Sequence, residues 1–214
     1  MTTYVPGMGR IYDWYEQRIF PHVLDRVMRG MEDLRPEVLA GARGDVLEIG
    51  FGTGLNLRHY PEGVERLSTV DPMDALPEKV QERIDAVGFP VDVHHLPADG
   101  GLPFDSERFD SATVTWTLCT IPDPVAALRE VRRVLQPGGQ LFFIEHGLSD
   151  DPGVAKWQHR FNPVQNVIGC GCNVNRKIDA LIQEAGFDLP NYEFFLMDGA
   201  PRMFGTLYKG AAKA

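Results

Sequence analysis

Three glycines at alternate positions, Gly50, Gly52 and Gly54, follow directly on the short apolar run from Val46 to Ile49. A run of that length bounded by glycine reads as a strand, and glycine lets the turn after it take positive φ and pass close to a ligand. A helical pattern over residues 53–60 follows and stops at Pro61, so the segment reads as strand, tight turn and helix. Such a unit opens a parallel sheet, whose strands need crossover connections, and it constrains everything downstream.

The remaining chain follows that constraint. Runs at 66–70, 91–94, 109–115 and 140–144 predict four more strands, with helices over 75–87 and 124–135, the second ended by Gln136-Pro137-Gly138-Gly139. A helix over 173–185, closed by Gly186, precedes two final strands, 192–197 and 203–208. Only the turn Asp198-Gly199-Ala200-Pro201 joins those two, so they are expected to be antiparallel. The predicted fold is α/β, a doubly wound, mostly parallel seven-stranded sheet with an antiparallel final strand. Residues 11–31, amphipathic and interrupted by Pro21, predict a helical cap. Residues 147–171, with several Pro and Gly, predict a long insertion before the next helix, of a length that is usually functional.

A chain of 214 residues is expected to be one domain: cap (1–40), ligand-binding core (41–146), substrate-side insertion (147–172), and C-terminal helix and strands (173–214). With 21 basic against 30 acidic side chains, the net charge of -9 argues against nucleic acid as a partner. No run approaches the roughly 18 apolar residues of a membrane-spanning helix. The N-terminal stretch has no apolar signal region either, so the expected compartment is the cytoplasm. Three cysteines, Cys119, Cys170 and Cys172, do not imply a disulfide framework in that setting. With His146 and His159 they raise a metal reading, but C-x-C lacks the paired spacing of a structural zinc site. Buried or pocket-lining thiols, and no metal, are expected. Monomer and homodimer remain equally open.

Two acids flank the glycine turn. Glu48 lies inside the end of an apolar strand, where a carboxylate is costly unless hydrogen-bonded. Asp71 ends the second strand, where an acid can accept from both hydroxyls of a ribose. A dinucleotide turn reads G-x-G-x-x-G; here the spacing is G-x-G-x-G with an acid two positions earlier, which disfavours a pyrophosphate and suits a cationic ligand.

These residues, with the motifs after them, resemble the class I S-adenosylmethionine-dependent methyltransferases. The likeness runs from Asp45 to Gly147 through Glu48-Ile-Gly50-Phe-Gly52-Thr-Gly54, Val70-Asp71-Pro72, Ala98-Asp99-Gly100-Gly101-Leu102-Pro103-Phe104, Phe109-Asp110, and the segment Leu128 to Gly139. It implies S-adenosyl-L-methionine as cofactor, with Gly50, Gly52 and Gly54 along its methionine and sugar, Asp71 on the ribose, and Ala98, Asp99 and Gly100 by the adenine. Glu48, Pro72 and Thr115 complete the implied cofactor set, and Met73 either packs on the adenine or fills core. Phe51 stands where the family commonly has a small residue and is expected to narrow the pocket.

Within that family the chain is most similar to the alkyl thiol S-methyltransferases related to the microsomal methyltransferase-like proteins. Thr117 to Ile121, Phe143 to His146 and Gly171 to Arg176 carry this likeness. Where the microsomal proteins carry a hydrophobic anchor, a polar, aromatic cap is expected here. The likeness implies methyl transfer to the sulfur of a small thiol or sulfide, with Tyr15, Trp116, Cys119 and Cys172 around the acceptor. His146 is expected either as a base or as a structural histidine. Tyr4, Tyr12 and Trp14 are expected to join Tyr15 in a lid opposite Trp116 and Trp157, Asn173 to cap the next helix, and Arg176 to reach a carboxylate or carbonyl. The alternatives are N- or C-methylation of a phospholipid, quinone or other small acceptor, and a non-catalytic cofactor-binding module.

Overall fold

The computed structural model describes residues 9–214; Tyr4 lies outside them. Strands β1 (Gly44–Ile49), β2 (Val64–Val70), β3 (Val91–His94), β4 (Phe109–Thr115), β5 (Leu135–His146), β6 (Tyr192–Leu196) and β7 (Thr206–Lys213) form one sheet in the order β3-β2-β1-β4-β5-β7-β6. The first five are parallel, and β7 runs antiparallel between β5 and β6. Chain order reverses between β1 and β4, and in open sheets the crevice at the carboxyl ends beside such a reversal is where ligands bind.

Alternation along the strands builds two cores. Leu47 and Ile49 of β1, with Leu141 and Phe143 of β5, pack on one face beneath α5 (Pro124–Val134) and α7 (Ile178–Glu184). Val46, Phe142 and Ile144 pack on the other with Val38 and Leu39 of α3 (Arg35–Leu39). Each such side chain, buried on a two-sided sheet, contributes about 1.5–3 kcal/mol. The cap is two helices, α1 (Gly9–Arg18) and α2 (Phe20–Arg29), with Pro21 in the first turn of α2, where its missing N–H costs nothing. Helix α4 (Pro77–Asp85) connects β2 to β3.

Four expectations are corrected. Residues 53–60 form turns and one 3-10 turn, Leu57–His59, because Asn56 is drawn into side-chain bonds with its neighbours rather than continuing a helix. Residues 147–171 are not irregular: they hold α6 (Pro152–Ile168), the longest helix among the described residues. The Asp151 carboxylate accepts from the amides of Gly153 and Val154 at its start, and the helix runs through Pro163. The helix expected from 173 begins only at Ile178, so Asn173 does not cap it. The breaker at 136–139 lies inside β5 as a bulge, with Phe109 opposite Leu135 and Ser111 already opposite Gln140.

Candidate active site

The turn after β1 is built as its glycines imply. Gly50, Gly52 and Gly54 all have positive φ. A Cβ on Gly50 would lie 1.9 Å from Thr117 Oγ1, whereas one on Gly52 would meet nothing within 4 Å. Gly50 therefore admits the segment after β4, and Gly52 leaves room at the crevice. The Gly52 amide donates to Asp71 Oδ2 at 2.8 Å and the Met73 amide to Asp71 Oδ1 at 2.8 Å. The acid that ends β2 is thus pinned to the turn, with one lone pair on each oxygen still unused. Burial raises the Asp71 pKa, and those two amides oppose it. Ala98–Gly100 forms a 3-10 turn after β3, and Asp99 Oδ2 accepts from the Asp123 amide at 3.1 Å. Pro72 is exposed and Met73 half-buried.

Beneath the turn lies a polar network. Glu48, fully buried, accepts from Asn56 Nδ2 and Tyr60 Oη, each at 2.8 Å, and Tyr60 Oη also meets Thr113 Oγ1 at 2.7 Å. Asn56 Nδ2 donates to Thr115 Oγ1 at 3.1 Å, and buried Arg35 donates to Asn56 Oδ1 while its guanidinium stacks 4.8 Å from the Trp116 ring centre. Burial pushes the Glu48 carboxyl up to about 7, against the Tyr60 and Asn56 hydrogen bonds and the Arg35 charge. A cavity of about 70 Å³ opens here, bordered by Glu48, Gly52, Phe51, Thr115, Arg35 and Trp116, among others. Arg35 Nε and Trp116 Nε1 are buried donors without a protein partner. Trp116 also has φ of 52°, a left-handed backbone that a bulky residue adopts only at a cost of about 1–3 kcal/mol.

The segment after β4 is held from three directions. Buried Glu145 of β5 accepts from the Thr117 and Leu118 amides at 2.7 and 3.0 Å. Burial lifts its carboxyl to about 7 against those bonds. Asn173 donates from its amide and from Nδ2 to the Cys119 carbonyl, both at 2.9 Å, and Arg176 donates to the carbonyls of Leu118 and Ile121. At the end of β5, His146 Nε2 lies 3.2 Å from Cys172 Sγ. Burial alone would lower the His146 pKa, but the Cys172 contact and the Glu145 charge together outweigh it and the net shift is upward.

Residues 47–143 match the family model described as a methyltransferase domain. The chain is 36% identical over 162 residues to the human thiol S-methyltransferase TMT1B, covering 73% of this chain and 63% of the relative. It is 28% identical over 202 residues to human thiol S-methyltransferase TMT1A, covering 83% and 78%. Residues 47–143 of this chain thus carry a domain of the S-adenosylmethionine-dependent methyltransferases. Against solved structures, the SpnF cyclase superposes with a TM-score of 0.61 at 24% identity, over 77% of this chain and 58% of that one, a likeness of fold alone. The chain spans less than two thirds of the length of TMT1B.

A methyltransferase of this family takes S-adenosyl-L-methionine, and the site fits that group. Carboxylates at Glu48 and Asp71 match its cationic centres and ribose, the open side of Gly52 admits its backbone-like portion, and the unpartnered Arg35 and Trp116 donors suit its carboxylate. Glu48, Gly52 and Thr115 come together at the cavity, which Phe51 also lines. Of the expected acceptor residues, Trp116 borders the cavity, while Cys119 and Cys172 converge on His146. Tyr15 does not line that cavity: its hydroxyl donates to the Ile168 carbonyl at 2.8 Å, and Tyr12 likewise bonds Val167, so both tie α1 to the end of α6. Trp14 and Trp157 are solvent-exposed and form no wall. Arg35, Asn56, Tyr60 and Glu145 escape sequence reading. Only the buried acid at 48, which demands partners, pointed toward them.

Proposed function

We propose that this protein transfers a methyl group from S-adenosylmethionine to the sulfur of a small thiol or sulfide, giving a thioether from a thiol or methanethiol from hydrogen sulfide, with S-adenosylhomocysteine and a released proton. The similarity to human thiol S-methyltransferase TMT1B carries this reading: its 162 aligned residues exceed the 97 positions from 47 to 143, so it extends beyond the shared domain. The structure supports it where acceptor specificity resides. Glu145, Asn173 and Arg176 fasten the 117–121 segment, and all three lie in the segments that carry the thiol-enzyme likeness.

The cofactor supplies an electrophilic methyl on a sulfonium, so the protein's work is to bind, align and exclude water. Glu48, Asp71, Asp99 and the glycine turn hold it at the carboxyl ends of β1 to β3, with Arg35 and Trp116 closing the methionine end. The 117–121 segment, admitted by Gly50, brings the acceptor sulfur into line. A thiol is already a few per cent thiolate at neutral pH, so little general-base power is needed. His146 shares its position with Cys119 and Cys172, so its part in activating the acceptor belongs to that group rather than to a lone base.

A panel of hydrogen sulfide, methanethiol, larger thiols, amines and phenols, read by S-adenosylhomocysteine release, tests the proposal. Turnover confined to the sulfur acceptors is expected. Turnover of amines or phenols with none on thiols would overturn it.

A further inference from the structure

We propose that Cys119, His146 and Cys172 form a binding site for one thiophilic divalent cation of the zinc class, at the acceptor-side end of the sheet. Cys119 follows β4, His146 ends β5, and Cys172 follows α6. Their three ligand atoms all lie within 4.8 Å of one another, with Cys172 Sγ and His146 Nε2 at 3.2 Å, and none of the cysteines is in a disulfide. Two sulfurs and an imidazole nitrogen are the donor set that soft or borderline cations select over calcium or magnesium. Bonds of about 2.3 Å to sulfur and 2.0 Å to nitrogen place tetrahedral neighbours roughly 3.5–3.8 Å apart. The three atoms therefore reach a common ion with shifts below about 1 Å.

The scaffold fixes all three. The Asn173 amide and Nδ2 both bond the Cys119 carbonyl, which joins the Cys119 segment directly to the residue after Cys172. Asn173 Oδ1 accepts from Asn162 and Asn166 of α6 at 2.9 and 3.3 Å, so the α6 end of the site is anchored as well. Glu145 clamps the Thr117 and Leu118 amides, and His146 is held in the ladder opposite Leu207. The chain turns sharply just before Cys172: Cys170, a residue with a side chain, has φ of 47°, followed by Gly171 at 95°. Cys170 itself is buried outside the cluster, and His159 contacts Asn175 instead.

Binding releases the two thiol protons to solvent and places a dication between two thiolates. Among the described residues no fourth histidine, cysteine or carboxylate joins the group, which leaves one tetrahedral position for a ligand from solution. That open position is the mark of a catalytic rather than a structural zinc site. On the thiol reading above, and resting on it, the ligand is the acceptor sulfur, held as a thiolate beside the methyl donor.

The test uses the full chain, stripped with a chelator and reconstituted with zinc or cobalt(II). Expected are one metal per chain by plasma mass spectrometry and a thiolate-to-cobalt charge-transfer band. Cys119→Ser and Cys172→Ser should each weaken metal affinity by at least roughly tenfold and reduce that band, while S-adenosylmethionine binding by calorimetry confirms that each variant is folded. A wild-type chain that retains no metal and shows no charge-transfer band overturns the inference, whatever the variants do. So does metal retained undiminished in a folded Cys119→Ser/Cys172→Ser double variant. Metal content and cobalt absorption need no acceptor, so metal binding without turnover of any thiol would sink only the acceptor reading.

Discussion

Gly50 and Gly52 stand two residues apart under different demands. At Gly50 a side chain would collide with Thr117 as well as strain the backbone; at Gly52 only the backbone objects. Gly50→Ala is therefore expected to cost more than about 3 kcal/mol and Gly52→Ala about 1 kcal/mol, read as shifts in urea midpoint. Equal losses would show that Thr117 does not enforce the first glycine. The buried Glu48 carries a second prediction. Its carboxyl sits at about 7 and borders the cavity proposed to take the cationic cofactor, so on that proposal it must ionise for tightest binding. Affinity for S-adenosylmethionine, measured by calorimetry between about pH 5.5 and 8.5, should rise with pH and level off above about 7, by at most about tenfold per unit. Glu48→Gln should flatten that dependence.

At the scale of elements, the cap is latched rather than merely laid on the sheet. Asp25, buried in α2, accepts from Thr53 of the glycine turn at 2.8 Å, and is paired with Arg83 at 3.0 Å, Lys79 at 3.3 Å and Arg29 at 2.7 Å. Burial would raise its pKa, but the bonds from Thr53, Arg83 and Arg29 outweigh burial and hold the carboxyl well below the usual carboxylate range. Asp25→Ala is expected to cost about 1–3 kcal/mol and to raise hydrogen exchange in α2 ahead of the sheet. Uniform exchange across the molecule would mean that the cap is not a separate unit. Asn173 is a second fastener, joining α6, the Cys172 segment and the segment after β4. Asn173→Ala should leave S-adenosylmethionine affinity within about twofold and lower the methylation rate by at least about tenfold, since it frees only the acceptor side. A parallel loss of cofactor affinity would contradict that division.

For the whole molecule, titration sets a working window. Glu48 and Glu145, both at about 7 folded against 4.5 ordinarily, hold protons more tightly in the native state. Their contribution is fully present below about 4.5 and is lost as pH rises through about 7. Asp25 has the opposite sign: its stabilisation is present above the usual carboxylate pKa and is lost as pH falls through its depressed folded value. Unfolding free energy should thus decline from about pH 5 to 8, by something on the order of 5 kcal/mol for the two carboxyls together. Glu48→Gln with Glu145→Gln should flatten the decline, followed by urea titration at each pH.

Much of this was legible in the chain because it is local. Strands announce themselves within a few residues, and the glycine turn with Glu48 and Asp71 occupies the ends of two adjacent strands, so fold and cofactor family followed from short-range pattern. Helix α6 was hidden because its Pro and Gly suggest breaks, while its Asp151 cap and its tolerance of Pro163 emerge only with the backbone in place. Asn173 looked like a local cap because its neighbours in sequence suggested one, yet it bonds Cys119, 54 positions away. Arg35 meets Thr115 across 80 positions, and Cys119, His146 and Cys172 converge from three separate elements. Sequence alone determined where the parallel strands and the glycine turn lie, because periodicity and turn chemistry act over a few bonds. Which buried polar groups satisfy one another was decided by the tertiary structure, because the order of strands in the sheet sets those partnerships and no short stretch of chain encodes it.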